Sequence, residues 1–258
     1  MNRPIRDWRA QRVWIVGASS GIGAALAQAL LARGARVALS ARRADALAQL
    51  AGTAVKNEAA LVLPLDLGDT AAFAAALDRL VRDWGGIDLV VFCAGTWAPM
   101  AAGQLDAAAI THTLAVNLQA PMTACATLVP KLLAQGQGAI AFVSSVAGYR
   151  GLPRSAAYGT SKAGLSHFAE TLHLELAPRG ISVYLINPGF VATPMTATNA
   201  FRMPALITPE EAAGEILAGL ARSTFEIHFP RRFTFWLKLL RLLPYRAYFP
   251  LARRLTGA

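Results

Sequence analysis

The chain has 258 residues, 55% of them hydrophobic and only 16% charged, which excludes a disordered polypeptide and suits one α/β domain with a large buried sheet. Its formal net charge is +10, but seven of the 25 basic residues (Arg231, Arg232, Lys238, Arg241, Arg246, Arg253, Arg254) lie after Ile227, where no acidic residue occurs. The other 18 face 15 acidic residues, so the body is near neutral and the tail is the basic part.

Arg12–Val16 is a short apolar strand that runs through glycines into a helix, Gly21–Arg33. Arg36–Ser40 and Leu61–Leu65 follow as strands, and Asp69–Trp84 as a helix with Ala and Leu on one face. Ile87–Cys93 is almost continuously apolar and reads as a fully buried strand. A helical stretch extends from Asp106 to Gln135, with Pro121 and Pro130 expected to bend or divide it. Ala139–Ser144 is a strand, Ala157–Ala177 a helix and Ile181–Asn187 a strand. Thr208-Pro-Glu-Glu211 opens a helix that ends near Ser223: Thr caps, Pro fills the first turn, and Glu stands three residues after the cap. Glu226–Phe229 is the last strand. Repeated strand–helix order predicts a parallel sheet covered by helices on both faces. No repeat or linker divides it, so residues 1–230 read as one domain and 231–258 as a basic, aromatic and aliphatic extension.

Three local patterns carry chemistry. In Gly17-Ala-Ser19-Ser20-Gly21-Ile22-Gly23 the glycines allow a tight turn and close approach to a pyrophosphate, with the following helix N-terminus supplying N–H groups and positive dipole. Tyr158 and Lys162 stand four residues apart, on one helix face. A phenol with a pKa of about 10 is a poor acid or base at neutral pH, and an ammonium one turn away is expected to pull it down. The second strand ends Leu39-Ser40-Ala41-Arg42-Arg43, with two guanidiniums and no carboxylate to repel a phosphate. Four scattered histidines and two cysteines, Cys93 and Cys125, match no metal spacing, so no metal site is expected, and a reducing compartment is the simpler reading. The N-terminus has no apolar stretch of a secretory signal.

The Gly-x-x-x-Gly-x-Gly turn and the Tyr-x-x-x-Lys pair together resemble the short-chain dehydrogenase/reductase family over residues 12–229. Further matches fall in order at Asp66-Leu67, Ala94-Gly95, Asn117, Ser144-Ser145-Val-Ala-Gly148 and Pro188-Gly189-Phe-Val191-Ala-Thr193. The resemblance implies a doubly wound Rossmann fold with a seven-stranded parallel sheet in the order 3-2-1-4-5-6-7. It implies catalysis by Ser145, Tyr158 and Lys162, with Asn117 holding a water in a proton relay behind Lys162. Tyr158 would exchange a proton with the substrate oxygen, Ser145 would hold that oxygen, and Lys162 would also bond the nicotinamide ribose. Cofactor contacts are implied from Gly17, Ser19, Ser20, Gly21, Ile22 and Gly23, from Asp66, Leu67, Ala94 and Gly95, and from Pro188, Gly189, Val191 and Thr193. Family members that prefer NAD place an acid at the end of the second strand; Arg42 and Arg43 there favour NADP(H). The family often has Asn-Asn-Ala-Gly after the fourth strand where this chain has Phe92-Cys93-Ala94-Gly95, so Cys93 replaces an amide that ties neighbouring strands.

The expected function is an NADP(H)-dependent oxidoreductase acting on a lipophilic ketone, aldehyde or secondary alcohol. The alternatives are a non-catalytic NADP-binding sensor or scaffold, and an oxidising dehydrogenase of a lipid or steroid alcohol. Met195, Phe201 and Met203, with Trp97 and Met100, suggest an apolar substrate pocket. In the tail, Phe233–Leu243 has Thr234, Lys238 and Arg241 on a narrow stripe and Phe, Trp and Leu elsewhere. Its helix is too short to cross a hydrocarbon core of about 30 Å. Three placements fit residues 231–255: contact with a membrane surface, cover over the substrate mouth, or a subunit interface. Basic residues interleaved with large aliphatics argue against nucleic acid. A cytoplasmic location, peripheral on the membrane face if the tail meets lipid, and a homodimer or homotetramer complete the expectations.

Overall fold

In the computed structural model, which describes residues 2–199 and 203–257, strands and helices alternate along the body. They begin β1 (Arg12–Val16), α1 (Gly21–Leu31), β2 (Arg36–Ser40), α2 (Ala44–Ala51), β3 (Ala60–Val62), α3 (Thr70–Trp84) and β4 (Leu89–Phe92). They continue α4 (Ala107–Leu114), α5 (Ala120–Gln135), β5 (Gly138–Val143), α6 (Ala156–Leu176), β6 (Ile181–Pro188), α7 (Pro209–Leu220) and β7 (Glu226–Phe229). Two tail helices close the chain, α8 (Arg231–Leu242) and α9 (Tyr245–Thr256). The seven strands form one parallel sheet in the order β3-β2-β1-β4-β5-β6-β7, the doubly wound arrangement implied by the sequence.

Every residue of β4 and β6 is buried, as their continuous apolar runs require of strands covered on both faces. One face of the sheet packs against α1 and α7, with Leu26, Leu30, Ile216 and Leu220 in its core. The other face holds a row of rings: Trp14 stacks on Phe73 of α3, Phe73 on Phe92, Phe92 on Phe142, and Phe168 of α6 meets Phe142 edge-on. The Trp14 indole N–H is satisfied by Ser40 Oγ at 2.8 Å, so this buried donor has its partner.

Three features depart from the sequence reading. The third strand ends at Val62 rather than Leu65: its ladder with β2 covers Ala60–Val62, although Leu63 N and Leu65 N still donate to Leu39 O and Ala41 O. A helix, α2, lies between β2 and β3, supplying the crossover that two parallel strands need. The stretch from Asp106 is divided, but not at a proline: residues Ala115–Gln119 form a π-helical turn between α4 and α5. Pro121 sits in the first turn of α5, directly after the π-helical turn, and Pro130 lies within that helix. The capping box at Thr208 and Glu211 is present in full.

The tail docks on the body through its polar stripe. Thr234 Oγ1 lies 2.7 Å from His228 Nδ1, Lys238 Nζ lies 2.7 Å from Glu226 Oε2, and the Arg241 guanidinium stands over the Tyr149 ring. Lys238 is therefore held by the body, while Arg241 remains exposed. Among the described residues no helix is long and apolar enough to cross a membrane.

Candidate active site

The order reversal on either side of β1 leaves a crevice at the strands' carboxyl ends, where open α/β sheets bind ligands. The Val16 carbonyl accepts from the backbone N–H groups of Cys93 and Ala94 at 2.8 and 2.9 Å, so the ends of β1 and β4 touch. Gly17 has φ +102°, and a Cβ there would lie 2.3 Å from Ala94 N; one at Gly23 would lie 2.2 Å from Gly17 O. Only glycine lets the first turn of α1 come down on these strand ends. Ser20 stands at the helix cap with extended backbone and no side-chain cap bond, and no acid lies in the first turn of α1. Thr193, from the loop after β6, closes on the same turn, with its Cγ2 2.9 Å from where a Gly21 Cβ would be. Ser19 and Ile22 lie half-buried on this turn, while Pro188 ends β6 and Gly189 N bonds Phe229 O. Val191 is buried and bridges to Ile207.

At the end of β2, Arg42 and Arg43 are both exposed, and Arg43 Nη2 reaches back to Ser19 O and Oγ at 3.2 Å. Asp66 is exposed and folds its own turn, Oδ1 accepting from Gly68 N at 2.9 Å, beside the buried Leu67. Gly95 lies between Asn117 Oδ1, Lys162 Nζ and Met195 Cε, all within 4 Å of the position a Cβ would take. The cofactor-binding candidates after β1, β2, β3, β4 and β6 are thus spread along one edge of the sheet.

The catalytic candidates come together beside Gly95. Ser145, after β5, accepts from Ala147 N at 3.1 Å, and its side chain acts on the Tyr158 phenol, favouring the ionised form. Ser144 turns the other way, donating to the Lys162 carbonyl at 2.9 Å and meeting Ser166. Lys162 is buried, its Nζ donating to Val143 O at 2.9 Å and standing 5.8 Å from the Tyr158 ring centre. Burial pulls its ammonium down to about 8, opposed by the nearby Cys93 sulfur. Asn117 sits in the π-helical turn, a feature frequent at functional sites. Its Oδ1 accepts from Thr96 N at 2.7 Å, and its Nδ2 donates to Thr96 O at 2.9 Å and to Ser161 Oγ at 3.1 Å.

A family model for the short chain dehydrogenase matches residues 11–202, which include all four catalytic candidates. The chain belongs to the short-chain dehydrogenase family. An uncharacterized oxidoreductase of Myxococcus xanthus is 36% identical over 250 residues, covering 93% of this chain and 96% of that protein. A short-chain dehydrogenase from Burkholderia cenocepacia, solved in complex with NADP, superposes with a TM-score of 0.83 at 26% identity, covering 97% and 99% of the two chains. One from Burkholderia phymatum, solved with NAD, has a TM-score of 0.82 at 20% identity over 91% and 94%, a likeness of fold alone. Short-chain dehydrogenases use a nicotinamide dinucleotide. The acid-free helix N-terminus behind two glycines that admit no Cβ is a fitting seat for its pyrophosphate.

One expectation for this short-chain dehydrogenase needs correction. The Tyr158 phenol is pushed up by burial rather than drawn down by Lys162, with only the Ser145 bond opposing. The Lys162 ammonium donates to the Val143 carbonyl and stands 5.8 Å from the centre of the Tyr158 ring. Met100 is buried, with its N–H bonded to Arg154 O just ahead of α6. Phe201 lies outside the described residues. Trp97 packs edge-on to Tyr158 at 4.9 Å and is fixed by Asn199 Oδ1 at 3.1 Å, while Asn199 Nδ2 reaches Met203 Sδ at 3.4 Å. The sequence reading missed a polar cluster behind Ser145. Glu226 accepts from the Tyr149 phenol, from Asn187 Nδ2 at 2.8 Å and from Lys238. Burial raises the Glu226 carboxyl, but these bonds outweigh it and hold the group below its ordinary value. One signal was available: Glu226 is the last acidic residue before the basic tail.

Proposed function

We propose that this oxidoreductase is NADP(H)-dependent and reduces a lipophilic ketone or aldehyde, or runs the reverse oxidation of a secondary alcohol. The observation that carries the reading is the convergence of the Ser145 hydroxyl, the Tyr158 phenol and the Lys162 ammonium beside Gly95. A bound nicotinamide would supply or take the hydride. Tyr158 gives its proton to the substrate oxygen in reduction and takes it back in oxidation. Ser145 donates a hydrogen bond to that oxygen as charge develops on it. Lys162 holds positive charge behind the phenol and offers its remaining protons to ribose hydroxyls. Asn117, bonded to Thr96 and Ser161, fixes the loop that carries Gly95.

The choice of NADP(H) is supported by Arg42 and Arg43 at the end of β2, with Arg43 already reaching Ser19 of the glycine turn. A lipophilic substrate is supported by Trp97 over Tyr158 and by Met195 and Met203 near it. The same reading places the enzyme in the cytoplasm as a homo-oligomer, with residues 231–255 in contact with a membrane surface. Its test is NADPH consumption over a panel of long-chain aldehydes and ketones by the wild-type protein and Tyr158→Phe. The variant is expected to lose about 10²–10⁴-fold in kcat while NADPH binding by fluorescence titration stays near wild type. Turnover preserved in Tyr158→Phe would overturn the mechanism. Tight NADPH binding with no turnover of any carbonyl by the wild type would favour a binding-only protein.

A further inference from the structure

Helix α8 carries its polarity inside out. Within its polar stripe, Thr234 and Lys238 face the body and are bonded there to His228 and Glu226, while the exposed Arg241 leans over the Tyr149 ring. Phe235, Leu239 and Leu242, at i, i+4 and i+7, consequently share the outward face with Trp236. These four side chains are 55%, 41%, 79% and 65% exposed. A surface helix of a water-soluble domain shows the opposite arrangement, apolar stripe inward. Helix α9 adds exposed Tyr245 and Phe249, their rings stacked at 5.3 Å. Exposed arginines stand around these rings: Arg231 and Arg232 at the start of α8, Arg246, Arg253 and Arg254 on α9.

We propose that the outward face of α8, with α9 beside it, docks flat on an anionic lipid surface. Phe235, Trp236, Leu239 and Leu242 enter the boundary between headgroups and acyl chains, and the arginines pair with headgroup anions. Charge selects this occupant. A second copy of the chain carries the same net charge of +10 and would set arginines against arginines, with no acid between residues 227 and 257 to offset them. Aromatic and aliphatic residues beside unopposed arginines complement an anionic bilayer in both layers. Each tail helix has twelve residues, enough to lie on a membrane and too few to cross it.

The docking face is tied to the candidate active site from behind. Tyr248 donates to Gly151 O at 2.8 Å, Arg150 donates to Leu243 O at 2.9 Å, and the Arg150 guanidinium lies 4.7 Å from the Tyr245 and Tyr248 rings. Residues 150–153 belong to the segment that joins Ser145 to Tyr158. A cleft of about 370 Å³ runs between Leu152 and Pro153 on that segment and Phe249 and Ala252 on α9. Docking would thus bring the lipid surface next to the segment that joins Ser145 to Tyr158, so that a lipophilic substrate need not pass through water.

This inference rests on the proposed membrane contact of the tail and is independent of the oxidoreductase chemistry. Its test is co-sedimentation of the full-length protein with phosphatidylcholine vesicles, with and without about 30% phosphatidylglycerol, in the absence of substrate. Wild type is expected to sediment with the anionic vesicles and to be released as salt rises from about 0.05 M to about 0.5 M. Phe235→Ser/Trp236→Ser should weaken binding at least tenfold, and Arg231→Gln/Arg232→Gln about fivefold per arginine removed. Unchanged near-ultraviolet circular dichroism would show that these exposed substitutions leave the fold intact. The proposal is overturned if folded wild type ignores anionic vesicles, or if the aromatic variant binds them as well as wild type. It is equally overturned if that variant changes only the oligomeric state, which would assign the face to contact between copies. Because binding is read without turnover, its failure and a failure of the oxidoreductase reading are separate results.

Discussion

Lys162 is the residue on which most of the chemistry converges, and its electrostatics are those of a buried cation without a carboxylate. Its Nζ has the Val143 carbonyl at 2.9 Å, and burial lowers its pKa from an ordinary 10.5 to about 8. In the cofactor-free protein the unfolded chain therefore binds the proton more tightly than the folded one. Between about pH 8 and 10.5 the unfolded state carries more protons, so the contribution of Lys162 to stability rises with pH across that window. Urea melts of wild type and Lys162→Met are expected to show wild type gaining on the variant from pH 8 upward; parallel pH profiles would refute the assignment. The residue scale also shows where sequence reasoning stops. Spacing alone puts Tyr158 and Lys162 on one helix face, and it does so correctly. It cannot tell that the ammonium will find a carbonyl of β5 first, because that carbonyl is nineteen residues away in the chain and next to it only in the fold.

At the scale of elements, the same residue type has opposite effects in two helices. Gly23 opens α1 in the narrow space under Gly17 O, whereas Gly214 lies exposed within α7 with nothing within 4 Å of a Cβ. Gly23→Ala is expected to push α1 off the strand ends and abolish binding of the nicotinamide dinucleotide. Gly214→Ala should raise stability by about 1 kcal/mol with activity unchanged, because alanine is the better helix former at an open site. Nucleotide titration and urea denaturation of the two variants separate these outcomes. The glycine turn, the capping box at Thr208 and the last strand were legible because each depends on residues adjacent in sequence. The division of the 106–135 stretch was not. It falls at Ala115–Gln119, where Asn117 is drawn to Thr96 and Ser161, and no local signal there competes with the two prolines nearby.

At the scale of the whole molecule, Glu226 joins three parts of the chain. It links the end of β6 through Asn187, the segment after Ser145 through Tyr149, and the tail through Lys238. Lys238→Ala removes the cation while leaving the other bonds. It is expected to cost about 1 kcal/mol, since Lys238 is part-exposed, and to open α8 to protease before the body is cut. Limited proteolysis followed by mass measurement checks this; an unchanged cleavage pattern would mean that the other contacts, Thr234 with His228, Tyr248 with Gly151 and Arg150 with Leu243, hold the tail without it. By itself the sequence determined the parallel sheet, its strand order through resemblance, the glycine turn, and which residues are candidates for the chemistry, since periodicity and motif spacing are local properties. The tertiary structure decided what those residues face. It turned Thr234 and Lys238 of α8 inward, because His228 and Glu226 offered them partners that only folding brings together. By doing so it left Phe235, Trp236, Leu239 and Leu242 outward.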